Sequence, residues 1–155
     1  MMMTQAKQTP QQLWDCALRI LSRRDHSRLE LSQKLRQREF ERDLIEQALD
    51  KLEQQQWLSD SRFAAVQVRQ HIFKKHGPLR IRMELRRKGV HEADIEQALA
   101  EEDVDWFELA LACYQSRFRD RDLSDIKEKA RRMRYLQSRG FNSDQIRYAL
   151  ESPAE

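Results

Sequence analysis

Between Gly77 and Gly89 the chain carries Arg80, Arg82, Arg86, Arg87 and Lys88 against a single acid, Glu84. Guanidinium and ammonium groups at helical spacing suit the neutralisation of phosphates, with release of condensed counterions. Residues 74–88 hold seven Lys or Arg and one acid, whereas residues 91–108 hold eight acids and no Lys or Arg. Residues 117–139 turn basic again, nine against four, and a weaker basic stretch near the start carries Arg19, Arg23, Arg24, Arg28, Lys34, Arg36 and Arg38. A single charge run is usually a solvated helix face. Basic helices in series predict a stripe that follows a phosphate backbone. Its expected DNA-binding residues are Arg23, Arg24, Arg80, Arg82, Arg86, Arg87, Lys88, Arg131, Arg132 and Arg134. The acidic stretch, with Glu92, Glu96, Glu101 and Glu102, predicts a face for a basic protein surface, because a pure DNA binder has little use for eight acids together.

Other chemistry is not spelled out. There is no Gly-rich phosphate loop, no Gly-x-Ser-x-Gly and no His-Glu-x-x-His. His26, His71, His76 and His91 lie in different units or at helix ends, and no nucleophile stands near a base, so neither an enzyme nor a cofactor or metal protein is expected. His26, just before a helix start at Ser27, reads as a turn-shaping residue. Cys16 and Cys113 have no partner at metal or redox spacing and lie on apolar helical faces, as reduced core cysteines would.

The charged stretches must be positioned by helices. Val, Ile and Thr together number 13, and Gly and Pro three each, among 155 residues, too few for many strands. Pro78 suits a first helical position and Gly89 the residue just past a helix end. Thr9-Pro10 with Gln12, Ser27 with Glu30, and Ser59 between Leu58 and Phe63 read as helix starts. The first helix is predicted to run to about Arg24. Three windows then align without gaps: Leu35, Leu85 and Leu136; Phe40, Val90 and Phe141; Ile45, Ile95 and Ile146; and the pairs Ala48-Leu49, Ala98-Leu99 and Ala149-Leu150. The period is 50 and then 51 residues. Phe40, Val90 and Phe141 each precede a helix that carries the isoleucine one turn in, a hydrophobic staple. The expectation is an all-α, elongated, curved array of three tandem three-helix repeats, at 9–56, 57–102 and 103–152, after a disordered segment 1–8.

Two positions break the repeat. Glu39 stands where Gly89 and Gly140 stand in the other copies, which predicts a differently shaped turn. Arg132 stands where Leu31 and Ile81 stand, which predicts that this helix face meets solvent or a partner. Trp14, Trp57 and Trp106 sit at or near the start of each unit's first helix, where packing between units is favoured over base stacking. Charged residues are 35% of the chain, yet net charge is only +3, so the distribution of charge rather than its sum argues for nucleic acid. No apolar run spans a bilayer and no secretory signal is evident, so a cytoplasmic protein is expected.

The chain resembles the RecX family of recombination regulators. The resemblance lies in Arg24-Asp25-His26-Ser27-x-x-Glu30-Leu31-x-x-Lys34-Leu35, in Trp57-Leu58-x-Asp60-x-Arg62-Phe63-Ala64, and in Gly77-Pro78-x-x-Ile81-x-x-Glu84-Leu85-x-x-Lys88-Gly89-Val90. The stretch from Lys129 through Leu136 to Phe141 fits more loosely. The resemblance covers about residues 12–150. It implies a row of three-helix repeats without catalytic residues. It also implies binding to the RecA recombinase filament on single-stranded DNA, with suppression of ATP hydrolysis, strand exchange and filament growth. A monomer with no membrane partner is expected. The rival readings are a stand-alone DNA-binding protein built from helix-turn-helix-like units, and a scaffold for another helical protein without nucleic acid.

Overall fold

A computed structural model describes residues 8–120 and 122–153. Among them lie nine helices and no strand. The first unit is α1 (Pro10–Leu21), α2 (Arg28–Gln37) and α3 (Arg42–Gln54); the second is α4 (Asp60–Phe73), α5 (Pro78–Arg87) and α6 (Glu92–Glu102); the third is α7 (Trp106–Arg117), α8 (Ile126–Ser138) and α9 (Ser143–Glu151). Of the segment 1–8 expected to be disordered, only Gln8 is described.

Local chemistry accounts for the helix starts. Thr9 and Gln12, Ser27 and Glu30, and Asn142 and Gln145 each form a reciprocal capping box, the side chain of one residue bonding the backbone N–H of the other. α5 begins with Gly77 as N-cap and Pro78 in its first turn, where a missing N–H is harmless. α1 stops at Leu21, short of the expected Arg24, because the chain turns there and the Arg24 carbonyl oxygen engages the His26 ring at 3.0 Å.

The end of each middle helix is the same in all three units. The amides of Phe40, Val90 and Phe141 donate to the carbonyls of Leu35, Leu85 and Leu136, and those of Glu39, Gly89 and Gly140 donate to Arg36, Arg86 and Gln137. This is the two-bond Schellman closure, which needs a left-handed residue. Glu39 (φ 67°), Gly89 (φ 82°) and Gly140 (φ 102°) supply it. The expectation that Glu39 shapes its turn differently does not hold; the glutamate adopts the glycine conformation at a local cost of about 1 kcal/mol. Leu35, Leu85 and Leu136 are almost wholly buried, each burial contributing about 2 kcal/mol.

Three cores result. Phe40 and Ile45 lie in the first, Val90 and Ile95 in the second, and Phe141 and Ile146 in the third, as the staples require. The Leu58–Phe63 pair is split: Leu58 packs into the first core and Phe63 into the second. Trp106 likewise packs against the second core although it opens α7, so these residues bind neighbouring units together. Trp57 is 53% exposed, against the expectation of packing. Extensive helix–helix packing stays within each unit, and the units meet mainly at the ends of their middle helices.

Those ends meet in a fixed order. At the first joint, the C-terminus of α5 abuts the start of α2: a Cβ on Gly89 would lie 2.9 Å from the Leu29 Cβ, and Lys88 Nζ is 2.6 Å from Glu30 Oε2. At the second joint, the C-terminus of α8 abuts the start of α5. The Gly77 amide donates to the Arg139 carbonyl at 2.7 Å and the Leu79 amide to the Gly140 carbonyl at 3.0 Å. α8, α5 and α2 thus run end to end in one sense, with opposite ends of their dipoles facing each other.

Candidate functional site

The basic middle helices place their cations unevenly. On α5, Arg82 makes a two-pronged pair with Glu96 (Nε–Oε2 2.7 Å, Nη2–Oε1 3.0 Å), and Arg86 makes the same with Glu92 (2.5 and 3.1 Å). Arg87 pairs with Glu84 at 2.5 Å, and Lys88 crosses the first joint to Glu30. Arg80 donates to the Ser138 carbonyl at 3.4 Å across the second joint. The acidic helix α6 is therefore in large part the electrostatic partner of α5. Of its four singled-out acids, Glu92 and Glu96 hold α5 arginines, Glu102 pairs with Arg69 at 3.5 Å, and Glu101 accepts from Gln97 at 2.9 Å. The Arg86 and Arg82 hydrogen bonds hold the Glu92 and Glu96 carboxyls below the usual range.

In the third unit, Arg131 and Arg134 are exposed, and Arg131 pairs with Glu128 at 2.8 Å. Arg132 is only 5% exposed, which corrects the expectation of a solvent-facing residue and removes it from a surface site. Its guanidinium donates to the Tyr114 hydroxyl at 2.8 Å, to the Asp120 carbonyl at 2.5 Å and to Glu128 at 2.7 Å, and lies 4.8 Å from the Phe118 ring centroid. An arginine can fill an apolar column in this way because its flat cation stacks on an aromatic face while its fork ties down a loop.

The first unit is different. Between α1 and α2 lies a cleft of about 430 Å³ lined by Arg19, Ile20, Arg23, Arg24, His26, Lys34, Gln37 and Arg38. Arg24 is held by Glu30 at 3.2 Å. Arg19, Arg23, Lys34 and Arg38 have no carboxylate within ion-pair distance among the described residues. His26 is buried at the cleft floor. Its Nδ1 lies 3.0 Å from the Arg24 carbonyl oxygen, which can only accept, so Nδ1 carries the proton and Nε2 accepts from Lys34 Nζ at 2.8 Å. Burial lowers the His26 pKa and so favours the neutral ring. Sequence reasoning singled out Arg23 and Arg24 here but not Arg19, Lys34 or Arg38; the signal was the four-residue spacing of Arg19 to Arg23 and of Lys34 to Arg38.

Among the described residues no three His, Cys, Asp or Glu side chains converge as metal ligands would, and no helix is long and apolar enough to cross a membrane. Cys16 and Cys113 are buried.

Three family models match in series: the first three-helix domain of RecX over residues 14–52, the second over 59–99 and the third over 103–150. The regulatory protein RecX of Vibrio parahaemolyticus is 48% identical over 136 residues, covering 88% of each chain. That of Halorhodospira halophila is 37% identical over 153 residues, covering 99% of this chain and 95% of the relative. A crystal structure of regulatory protein RecX superposes with a TM-score of 0.83 at 27% identity, over 92% of this chain and 73% of that one. The crystal structure of RecX from Lactobacillus salivarius shares the fold, with a TM-score of 0.76 at 24% identity over 92% and 94% of the two chains. With all three domains matched in order over an array of nine helices, this chain belongs to the RecX family of regulatory proteins.

Proposed function

We propose that this protein modulates a RecA recombinase filament on single-stranded DNA, restraining its ATP turnover, strand exchange and growth. The supporting observation is the end-to-end order of α8, α5 and α2, which strings cations along about 50 Å of helix at 1.5 Å per residue. A filament offers the same site repeatedly, and an array of fixed pitch engages several copies at once, so weak contacts add. The paired arginines of α5 fit this role. Exposed ion pairs are worth about 0–1 kcal/mol each, so phosphates or acidic filament surface can displace Glu92 and Glu96 at little cost. Those acids then become available to a basic surface. Binding across subunits resists the rearrangements that accompany ATP hydrolysis.

The test is the ATPase of RecA on single-stranded DNA, measured with this protein at substoichiometric amounts. The expected result is strong inhibition well below one copy per RecA. Equal rates at every ratio would remove the proposal. Reversing Arg80, Arg86 and Arg87 to Glu should abolish inhibition; a scaffold that ignores nucleic acid would tolerate the change. The cleft of unpaired cations in the first unit favours a second reading, stand-alone DNA binding, which predicts tight binding to bare DNA at physiological salt with a steep salt dependence.

A further inference from the structure

We propose that the α1–α2 cleft of the first unit is a phosphate-binding site that grips the backbone of single-stranded DNA. The choice of DNA as partner rests on the function proposed above; the site itself rests on its own geometry. Arg19, Arg23, Lys34 and Arg38 line one cleft of about 430 Å³ without a carboxylate on any of them among the described residues, whereas Arg82, Arg86 and Arg87 of α5 and Lys88 at its C-cap each hold one. Four like charges around a shared cavity repel one another, and the chain contains 26 acids that could have been placed against them. The helix dipole favours Arg19 in the last turn of α1 and Lys34 in the last turn of α2. It does not explain why both stretches turn toward the same cavity.

The cleft also has a built floor. His26 is 2% exposed. Its Nδ1–H is spent on the Arg24 carbonyl, and its Nε2 lone pair holds Lys34 Nζ at 2.8 Å. That leaves two ammonium protons of Lys34 for an incoming oxyanion. Among the described residues Lys34 has no carboxylate within ion-pair distance, so the buried ring positions a cation that an outside anion can reach. Clefts lined by one sign of charge focus the field and raise the local concentration of the opposite ion. Phosphodiester is favoured over an acidic peptide because a nucleic-acid backbone repeats one anion along its length and needs only charge and donors, which the Arg19, Arg23, Lys34 and Arg38 side chains around one cleft supply.

The experiment uses the full chain, a fluorescent oligothymidylate and a salt titration. Arg19→Gln/Lys34→Gln/Arg38→Gln removes three cleft cations. Arg42→Gln/Lys51→Gln/Arg147→Gln removes the same charge from exposed positions outside the cleft and outside the α8–α5–α2 row. Log affinity against log salt should lose about 2 from its slope in the cleft variant, at roughly 0.7 per phosphate contact on a single strand, and change little in the control. Lys34→Gln alone should lose about 0.7. Equal slopes for the cleft variant and wild type, or equal losses in cleft variant and control, overturn the site. Polyglutamate competing as well as oligothymidylate through the same three residues overturns it too, in favour of an acidic protein partner. RecA ATPase measured in parallel separates the two proposals. Wild type that binds DNA through the cleft but leaves the ATPase untouched defeats the function and keeps the site; wild-type inhibition fully retained by the cleft variant, with an unchanged slope, defeats the site alone.

Discussion

The two joints of this array are built from different bonds. At the joint between α8 and α5, backbone meets backbone: amides at the start of one helix donate to carbonyls at the end of the other, and Gly77 and Gly140 are in such close approach that neither tolerates a Cβ. Each helix end thereby satisfies groups that the other leaves orphaned. At the joint between α5 and α2, side chains do the work. Ser27 caps α2 itself, the Arg28 amide donates to Asp60 Oδ1 at 2.7 Å, and Lys88 reaches Glu30. Arg28 also spreads over Glu46, Asp50 and Glu53 of α3. A backbone joint is sensitive to shape and indifferent to salt. A charged joint tolerates shape changes better and responds to salt.

The largest expected effect is therefore steric and falls on the second joint. Gly140→Ala combines a left-handed backbone with a Cβ that collides with the Cβ of Arg80 and comes 2.7 Å from its amide nitrogen. The loss should be about 3 kcal/mol by chemical denaturation. Gly89→Ala has the same left-handed backbone, but its nearest contact is the Leu29 Cβ at 2.9 Å with no backbone atom among its nearest neighbours, and it should lose about 2 kcal/mol. If the two cost the same, the joints do not differ as described. Lys88→Met comes next. It strips the first joint of its charge partner and leaves Glu30, whose side chain is 10% exposed, with Arg24 as its remaining basic partner. A loss of about 1–2 kcal/mol is expected, shrinking in high salt, whereas the Gly140→Ala loss should not change with salt.

The periodic part of this design was legible in the sequence. Leucine, staple and Ala-Leu columns at a fixed period dictate three units, and Pro78 and Gly89 mark the bounds of α5 correctly. The joints were legible only as glycines; that Gly77 meets Gly140 depends on how two units dock, which no local spacing encodes. The paired state of α5 was hidden for a similar reason. Arg82–Glu96 and Arg86–Glu92 lie between helices, and a sequence read helix by helix shows a basic run and then an acidic one, not their mutual neutralisation. Arg132 misled because an arginine in an apolar column has two solutions, exposure or a cation stacked on an aromatic ring, and Tyr114 and Phe118 sit a whole helix away in sequence. The cleft of the first unit escaped because its cations come from two helices whose closeness only the fold supplies.

Glu39 sharpens the comparison with a turn that has no joint. It occupies the glycine position in the first unit, and among the described residues it is exposed rather than packed at a joint. Gly89 and Gly140 are thus glycine for two reasons, backbone conformation and docking, and Glu39 is subject to one. Glu39→Gly should stabilise by up to about 1 kcal/mol by relieving the left-handed strain, read as a rise in melting temperature. A fall instead would mean that the glutamate side chain contributes more than its backbone loses.

The gentlest perturbation is pH, because at neutrality it changes neither joint. His76, buried beside Gly77, has its pKa lowered to about 4, first by burial and then by the Arg80 and Arg139 cations. Below its ordinary value of 6.5 the unfolded chain binds a proton that the fold refuses, so stability at the second joint falls between about pH 6.5 and 4. Glu30 behaves in the same sense but lower. Burial alone would raise its pKa, yet hydrogen bonds from Arg24, Lys88 and the Ser27 amide outweigh burial and hold it at about 2, so its contribution is present above 4.5 and lost on the way down to 2. The backbone joint should therefore loosen before the charged one as acid is added. NMR titration of the His76 ring and the Glu30 carboxyl gives the two midpoints, and exchange of the Gly77 amide, corrected for its intrinsic rate, reports the opening of the second joint. Gly77 protection retained until Glu30 titrates would mean that His76 does not hold that joint, and that its other bonds do.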